Sequence, residues 1–193
     1  MIFLFDMGGV VSNSTNLKNI CEELNLRESE YYSFQRDSAG CNTYQLLNKG
    51  VINVEDYWKN FSENSKIEIK TDYFKTLYKP VLNESVVSII KKLKNKNNRV
   101  VCGTNTIESH FEEHKRLRNY DFFDTVYSSH LMGVEKPAPD FFTKIIAAEQ
   151  VLASEIFFID DNKMNIDAAE KIGIRTKMFV SVEILEKELA EYI

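Results

Sequence analysis

The chain has 193 residues and a formal net charge of −5, with 44% hydrophobic and 27% charged residues. This composition is ordinary for a globular protein with one sizeable core, and the acidic balance argues against a nucleic-acid partner. The three cysteines have neither paired nor metal-ligand spacing, which is typical of a cytoplasmic protein. The first apolar run is too short for a signal peptide or a membrane span, so we expect a cytoplasmic protein with no membrane partner. The sequence leaves the oligomeric state open.

The first predicted element is a buried strand at residues 2–5, followed directly by Asp6. A run of large apolar residues is typical of a central parallel strand that is buried on both faces. The glycines that follow, Gly8 and Gly9, let the backbone turn sharply and approach a ligand. Because ligands bind beyond the carboxyl ends of the strands in open α/β sheets, Asp6 stands where such a fold does its chemistry. Taken alone, Asp6 fits a turn or a helix cap equally well.

Residues 14–79 form a predicted helical insertion. Apolar residues recur at helical spacing in two of its segments, first Leu17, Ile20, Cys21 and Leu24 and then Val54, Tyr57, Trp58 and Phe61. Asn53 is the expected N-cap of the second segment, and a further short helix is expected at residues 44–48. Few strand-like runs interrupt this part of the chain, so we expect it to be helical throughout.

Residues 80–193 alternate between helical and strand-like segments. The predicted strands are 99–102, 125–127, 156–159 and 175–180, and the predicted helices are 86–93, 107–117, 140–149, 166–172 and 182–192. The lysines of residues 91–96 are interpreted as the end of a helix, where cations complement the helix dipole, rather than as a binding patch. This alternation predicts an α/β fold with a doubly wound, parallel, Rossmann-like sheet formed by residues 1–13 and 80–193.

Polar residues stand at four of the predicted strand ends or in the loops that follow them. They are Asp6, the pair Thr104 and Asn105, Lys136, and the pair Asp160 and Asp161 with Asn165 four residues later. Each has an ordinary alternative as a cap, a loop residue or a solvated lysine. Their occurrence together, in this order at successive strand ends, predicts a single site.

These residues resemble the motifs of the haloacid dehalogenase superfamily, over nearly the whole chain outside the insertion. The more specific pieces are the Lys-Pro-x-Pro-x-x-Phe run at 136–142 and the Ile-Asp-Asp run at 159–161 with its later asparagine. The chain looks most similar to the subgroup of glucose-1-phosphate phosphatases, which also has Asp-x-Gly in its first motif. The resemblance implies that the insertion is a cap that closes over the site and selects substrate.

The resemblance also assigns roles to the residues, and the chemistry of phosphate ester hydrolysis agrees with them. An aspartate such as Asp6 that attacks phosphorus forms an aspartyl-phosphate and splits one slow step into two. Attack of an anion on an anion requires positive charge, which Lys136 and Mg²⁺ supply. The expected metal ligands are Asp6, Asp160, Asp161 and the backbone carbonyl of Gly8, and the expected phosphate-binding residues are Thr104, Asn105 and Lys136.

Gly8 departs from the superfamily pattern, in which most phosphatases carry a second aspartate two residues after the nucleophile. That aspartate protonates the leaving group, and such general acid–base catalysis is typically worth about 10² to 10⁴ in rate. We therefore expect a Mg²⁺-dependent phosphatase for small phosphorylated metabolites with good leaving groups, for example sugar 1-phosphates. One alternative is a catalytically weakened phosphate-binding or regulatory protein. Another is carbon–halogen hydrolysis, which needs no metal and is disfavoured by the acidic pair.

Residues outside these motifs support weaker expectations. His110 follows the second motif by about one helical turn and fits either a substrate contact or a place at the edge of the core. His114 and His130 are expected to be structural or solvated. The aromatic residues of the insertion that are expected to serve packing rather than substrate contact are Phe34, Tyr44 and Trp58. Arg36 and Lys49 are its charged residues that we would test first for substrate contact.

Overall fold

The computed structural model describes residues 1–13 and 16–193, so the first two residues of the predicted insertion lie outside the described residues. The strands are β1 (Ile2–Phe5), β2 (Ser12–Asn13), β3 (Val81–Leu82), β4 (Arg99–Thr104), β5 (Thr125–Ser128), β6 (Ile156–Asp160) and β7 (Arg175–Met178). Five of them form a parallel sheet in the order β5-β4-β1-β6-β7, and β2 pairs with β3 in antiparallel fashion. The order reverses direction at β1, as a doubly wound sheet requires.

Helices connect the strands and fill the insertion. Those of the insertion are α1 (Asn16–Glu23), α2 (Glu28–Ser33), α3 (Thr43–Asn48), α4 (Val54–Ser65) and α5 (Tyr73–Thr76). Those of the remaining chain are α6 (Glu84–Asn95), α7 (Glu108–Arg116), α8 (Ser129–Met132), α9 (Pro139–Glu149), α10 (Lys163–Lys171) and α11 (Val182–Glu188). The predicted α/β class is confirmed. Of the helices within the described ranges, none has both the length and the apolar character that a membrane span needs.

The central strand β1 is buried on both faces, as its composition predicts. Ile2 and Leu4 belong to one apolar cluster, which includes residues of α9 and α10, whereas Phe3 and Phe5 belong to another with residues of α6 and α11. This division follows from the two-residue period of a strand, which sends successive side chains to opposite faces. Helices therefore cover both faces of the sheet, and the carboxyl ends of the strands are left open for a ligand.

The insertion has an apolar cluster of its own. It is dominated by aromatic side chains, and the Trp58 and Phe74 rings pack with their centroids 4.6 Å apart. Asn53 caps α4 by accepting a hydrogen bond from the Asp56 backbone N–H at 2.8 Å, as predicted. Ile107 of the sheet domain joins this cluster, so the insertion packs against α7. The division of the chain into a sheet domain and a cap at residues 14–79 stays a prediction.

Several element boundaries differ from the predicted ones. β4 continues to Thr104, two residues beyond the predicted end, because Gly103 and Thr104 pair with β5. α10 begins at Lys163 rather than at 166, since the Asn162 side chain caps it through the Met164 N–H. The last strand and the last helix end earlier, at Met178 and Glu188. The basic run at 91–96 does end a helix, as expected, because α6 stops at Asn95.

Candidate active site

The polar residues singled out in the sequence meet at the carboxyl ends of three neighbouring strands. Thr104 ends β4 and Asp160 ends β6, while Asp6 follows β1, which lies between these two strands. Lys136 enters from the loop between α8 and α9. Asp6, Thr104, Lys136 and Asp161 line a cavity of about 310 Å³, whereas Asp160 is completely buried. The predicted convergence is therefore seen in the structure.

Lys136 forms the centre of the site. Its ammonium group lies 2.9 Å from Asp6 Oδ1 and 2.7 Å from Asp160 Oδ2, and its side chain is 1% exposed. Burial alone would lower the pKa of Lys136, but the two carboxylates outweigh it and raise the pKa. The Phe158 ring, whose centroid is 5.4 Å from Nζ, adds a weaker attraction. Lys136 is thus held as a fixed buried cation beside the carboxylate of Asp6.

Asp6 presents a carboxylate with one oxygen already engaged. Oδ1 accepts hydrogen bonds from the Met7 N–H at 2.7 Å and from Lys136, and these contacts leave Oδ2 available for chemistry. Burial raises the pKa of Asp6 to about 7, with Lys136 opposing this rise and the nearby Asp160 and Asp161 carboxylates adding to it. A bound cation would favour the ionised carboxylate, which is the form that acts as a nucleophile or metal ligand.

Asp160, one of the predicted metal ligands, has both of its carboxylate oxygens engaged in hydrogen bonds. Its Oδ1 accepts from the Asn162 N–H and from Asn165 Nδ2, and its Oδ2 accepts from Lys136 and again from Asn165. These bonds occupy the roughly four acceptor positions of a carboxylate. Asp160 is also completely buried. Its contacts make it the anchor of Lys136, a role that the sequence did not reveal.

Asp161 is the exposed member of the acidic pair. One oxygen atom each from Asp6, Asp160 and Asp161 lies within 4.8 Å of the others, a spacing that a single metal ion can bridge. Burial and the neighbouring Asp160 carboxylate raise the pKa of Asp161, and Lys136 opposes this rise. Three clustered carboxylates against one buried lysine leave negative charge that a divalent cation would neutralise. Oxygen ligands of this kind fit Mg²⁺.

Gly8 and Gly9 shape the loop beside these carboxylates. Gly8 lines the cavity, and a Cβ built on it has no heavy atom within 4 Å. Gly9 has a φ of +78°, and a Cβ there would collide with the Asp161 carboxylate. Gly9 is therefore required both by its backbone conformation and by the close approach of Asp161. The sequence indicated a turn at these glycines but not this contact.

Thr104 and Asn105 both line the cavity, but only Asn105 has its side chain engaged with Lys136. Thr104 is buried at the end of β4 and lines the cavity. The Asn105 amide is engaged on both sides, because Nδ2 donates to the Lys136 carbonyl and Oδ1 accepts from the Lys136 N–H, each at 2.8 Å. Asn105 thus holds the backbone of Lys136, and its predicted role in binding substrate stays a prediction.

Two histidines, His110 and His114, and Tyr78 of the insertion also line the site cavity. The His110 ring stacks on Tyr78 with centroids 3.8 Å apart, and the Tyr78 hydroxyl lies 2.8 Å from His114 Nε2. Burial lowers the pKa of His110 to about 3 and that of His114 to about 4, so both are neutral near pH 7. His114 is buried rather than solvated, and Tyr78 carries no sequence motif that could have indicated its place.

The residues of the insertion that were singled out in the sequence contact other groups than Asp6, Asp160 and Asp161 within the described part of the chain. Arg36 donates to the Gly40 carbonyl at 2.9 Å, and Lys49 lies 3.7 Å from a carboxylate oxygen of Glu135. Phe34, Tyr44 and Trp58 take part in the aromatic packing of the insertion. Tyr44 in addition lines a second cavity, which is described below.

Replacing Lys136 by Met is expected to lower the free energy of unfolding by about 3–5 kcal/mol near pH 7, because Asp6 and Asp160 would stay buried without a countercharge. Urea denaturation measures this loss. Lys144→Met is the control, since Lys144 is an exposed lysine whose amine donates to a backbone carbonyl, that of Met132. Equal stability of the two variants would contradict the assigned charge pairing.

Replacing Gly9 by Ala is expected to weaken Mg²⁺ binding by about tenfold or more, because the added Cβ displaces the Asp161 carboxylate. Isothermal titration calorimetry with Mg²⁺ measures the change. Gly40→Ala is the matched control, since Gly40 has a similar φ of +83° but no atom within 4 Å of its Cβ. If both variants bind Mg²⁺ like the unmodified protein, Asp161 is not a ligand.

Sheet topology and site together define a doubly wound α/β enzyme with a carboxylate-rich centre at its strand ends. The family model of haloacid dehalogenase-like hydrolases matches residues 3–179, and the chain therefore belongs to this family. The superfamily predicted from the motifs is thus confirmed. The closer likeness to glucose-1-phosphate phosphatases stays a prediction.

Two characterised relatives and two solved structures are similar to nearly the whole chain. A sesquiterpene phosphatase, astK, from Aspergillus oryzae is 24% identical over 89% of this chain and 85% of its own length. A D-ribitol-5-phosphate phosphatase from Bacteroides thetaiotaomicron is also 24% identical, over 90% and 88%. An enzyme of the same family from B. thetaiotaomicron, solved with magnesium and inorganic phosphate, has a TM-score of 0.74 at 23% identity and covers 92% of each chain. A predicted hydrolase from Porphyromonas gingivalis reaches 0.81 at 22% identity and covers 97% of each chain.

Proposed function

We propose that this protein is a Mg²⁺-dependent phosphatase of small phosphorylated metabolites, with Asp6 as its nucleophile. The observation that carries the proposal is the buried Lys136 ammonium 2.9 Å from the Asp6 carboxylate, with Asp161 beside it at the mouth of the same cavity. This arrangement offers a carboxylate nucleophile, a fixed positive charge for phosphoryl oxygens and an additional metal-binding carboxylate.

The similar proteins support this class of reaction. Two relatives are named as phosphatases, one as a sesquiterpene phosphatase and one as a D-ribitol-5-phosphate phosphatase, and a structural neighbour was solved with magnesium and inorganic phosphate. Their organic groups differ greatly in polarity, which points to a shared chemistry at phosphorus and to variable recognition of the alcohol. Sugar phosphates are the subclass favoured by the sequence, whereas the apolar lining of a cavity beside the site favours a less polar alcohol.

The proposed metal ligands are Asp6, Asp161 and the carbonyl of Gly8. The clustered carboxylate oxygens at this site suit a divalent cation. The raised pKa values of Asp6 and Asp161 fit the same assignment, because burial and the neighbouring carboxylates raise them and these groups lack a sufficient countercharge. When bound, Mg²⁺ supplies charge neutralisation at the phosphoryl oxygens. Asp160 is left out of this set because its oxygens already accept hydrogen bonds from Lys136, Asn162 and Asn165.

The residues of the chain carry the proposed reaction in two steps. The Asp6 carboxylate attacks phosphorus, the bond from phosphorus to the ester oxygen breaks, and Lys136 and Thr104 bind phosphoryl oxygens. The leaving oxygen takes its proton from water, because Gly8 has no side chain to donate one. Water then attacks phosphorus, releases inorganic phosphate and regenerates the Asp6 carboxylate.

The test is a phosphatase assay with acetyl phosphate, glucose 1-phosphate and D-ribitol 5-phosphate, each with Mg²⁺ and with EDTA. We expect phosphate release that requires Mg²⁺ and is fastest for acetyl phosphate, whose leaving group needs no proton. Gly8 also favours a second candidate, a phosphate-binding protein without turnover. If calorimetry shows that the folded protein binds Mg²⁺ and phosphate, but the protein releases no phosphate from any of these substrates, the second candidate is supported and the first is contradicted.

A further inference from the structure

A second cavity lies in the insertion, directly next to the site cavity. It has a volume of about 280 Å³, and His110 lines both cavities. We call it the insertion cavity. Most of its wall is built from carbon-rich side chains, those of Leu17, Ile20, Tyr31, Tyr32, Tyr44 and Phe74. Its volume lies near the lower end of small-molecule sites, which span roughly 300–1,000 Å³, and it suits one ring or a short chain.

The polar residues of this cavity are few and uncharged. Besides the hydroxyls of its three tyrosines they are Asn16, Gln35 and His110, and burial lowers the pKa of His110 to about 3, so that its ring is neutral. The Gln35 amide and the Tyr31 hydroxyl are already engaged, since both hydrogen-bond to the Tyr57 hydroxyl at 3.1 and 3.0 Å. A charged or polyhydroxylated group would lose its bonds to water here and find few replacements.

Asn16 provides one specific polar contact. It is 7% exposed, and its Nδ2 donates to His110 Nε2 at 2.7 Å. Its Oδ1 is buried and has no hydrogen-bond partner within the described part of the chain. Because a buried acceptor without a partner is costly, this oxygen marks a position for a donor from a ligand.

We propose that the insertion cavity binds the organic part of the substrate, and that this part is an uncharged, mainly apolar alcohol with one further hydroxyl group beside Asn16. The phosphate then lies at Asp6, and the organic part extends past His110 into the cavity. This inference rests on the proposed phosphatase function and specifies its substrate class.

The test is calorimetry with phosphonates in the presence of Mg²⁺, because phosphonates bind without being turned over. The four probes are methylphosphonate, hexylphosphonate, ω-hydroxyhexylphosphonate and the phosphonate analogue of glucose 1-phosphate. We expect hexylphosphonate to bind at least about tenfold more tightly than methylphosphonate, since several methylene groups leave water. The added hydroxyl is expected to improve binding by about threefold to tenfold, as one hydrogen bond does. The sugar analogue is expected to bind no more tightly than methylphosphonate.

Two variants assign these preferences to the cavity. Leu17→Trp fills it and is expected to remove the advantage of hexylphosphonate over methylphosphonate. Asn16→Leu removes the acceptor and is expected to abolish the gain from the hydroxyl while the preference for hexyl is kept. Lys18→Ala is the control, because Lys18 is exposed on the same helix. Circular dichroism verifies folding, and Asn16→Leu decides the question if Leu17→Trp does not fold.

The outcomes separate this inference from the proposed function. The inference is overturned, and the phosphatase is left in place, if the protein hydrolyses acetyl phosphate but does not prefer hexylphosphonate over methylphosphonate. The same holds if it hydrolyses acetyl phosphate and binds the sugar analogue most tightly. A preference for hexylphosphonate that both variants alter as expected, in protein that hydrolyses no ester, supports the cavity assignment and contradicts the phosphatase.

Discussion

Asp6→Asn is expected to lower kcat for acetyl phosphate by about 10³-fold or more, because the amide is a far weaker nucleophile than the carboxylate. The amide oxygen keeps the shape of the side chain and can still accept from the Met7 N–H, as Oδ1 does in the structure. Asp160 still pairs with Lys136. The variant should therefore fold, and steady-state kinetics with Mg²⁺ measures the loss.

Asp140→Asn is the matched control for this variant, since Asp140 is an exposed aspartate in the first turn of α9. It should retain the kcat of the unmodified protein. A folded Asp6→Asn variant with more than about a tenth of the original kcat would rule out covalent catalysis by Asp6, because general acid–base or binding effects alone would then carry the rate.

Gly8→Asp is expected to raise kcat for esters with poor leaving groups by about 10²-fold or more, since it supplies the proton donor that the chain lacks. The position tolerates a side chain, because Gly8 has open space where its Cβ would stand. The increase should be small for acetyl phosphate, whose leaving group needs no proton. The measurement is kcat for hexyl phosphate and acetyl phosphate.

Gly8→Asn is the control for this second prediction, because it adds the same volume without a titratable proton. The dependence on leaving group is the decisive feature. An aspartate variant that is no faster than the asparagine variant on hexyl phosphate would show that proton transfer does not limit the reaction, and that the rate is limited elsewhere.

Much of the fold follows from local sequence patterns. Three patterns predict elements that the structure contains. They are the apolar run before Asp6, the alternation of helices and strands after residue 80, and the helix N-cap at Asn53. The missed elements are short ones. α2 has one buried residue, Tyr31, and two-residue strands such as β2 carry no periodicity of their own. Such elements are set by contacts between distant parts of the chain.

The site was predictable as a set of residues and less so as a set of roles. The sequence places Asp6 and Asp160 at strand ends and Lys136 in a later loop. Only the structure shows that the Asp160 oxygens accept hydrogen bonds from Lys136, Asn162 and Asn165. Asn105 likewise holds the Lys136 backbone. These roles depend on which atoms meet after folding, which a linear motif does not encode.

The central claim is that Asp6 becomes phosphorylated, and one measurement tests it most directly. Protein mixed with Mg²⁺ and acetyl phosphate is quenched in acid within one turnover, and its peptides are analysed by mass spectrometry. We predict one added phosphoryl group on Asp6, labile to hydroxylamine. Rapid phosphate release with no phosphoryl group on Asp6 at any quench time would contradict the account.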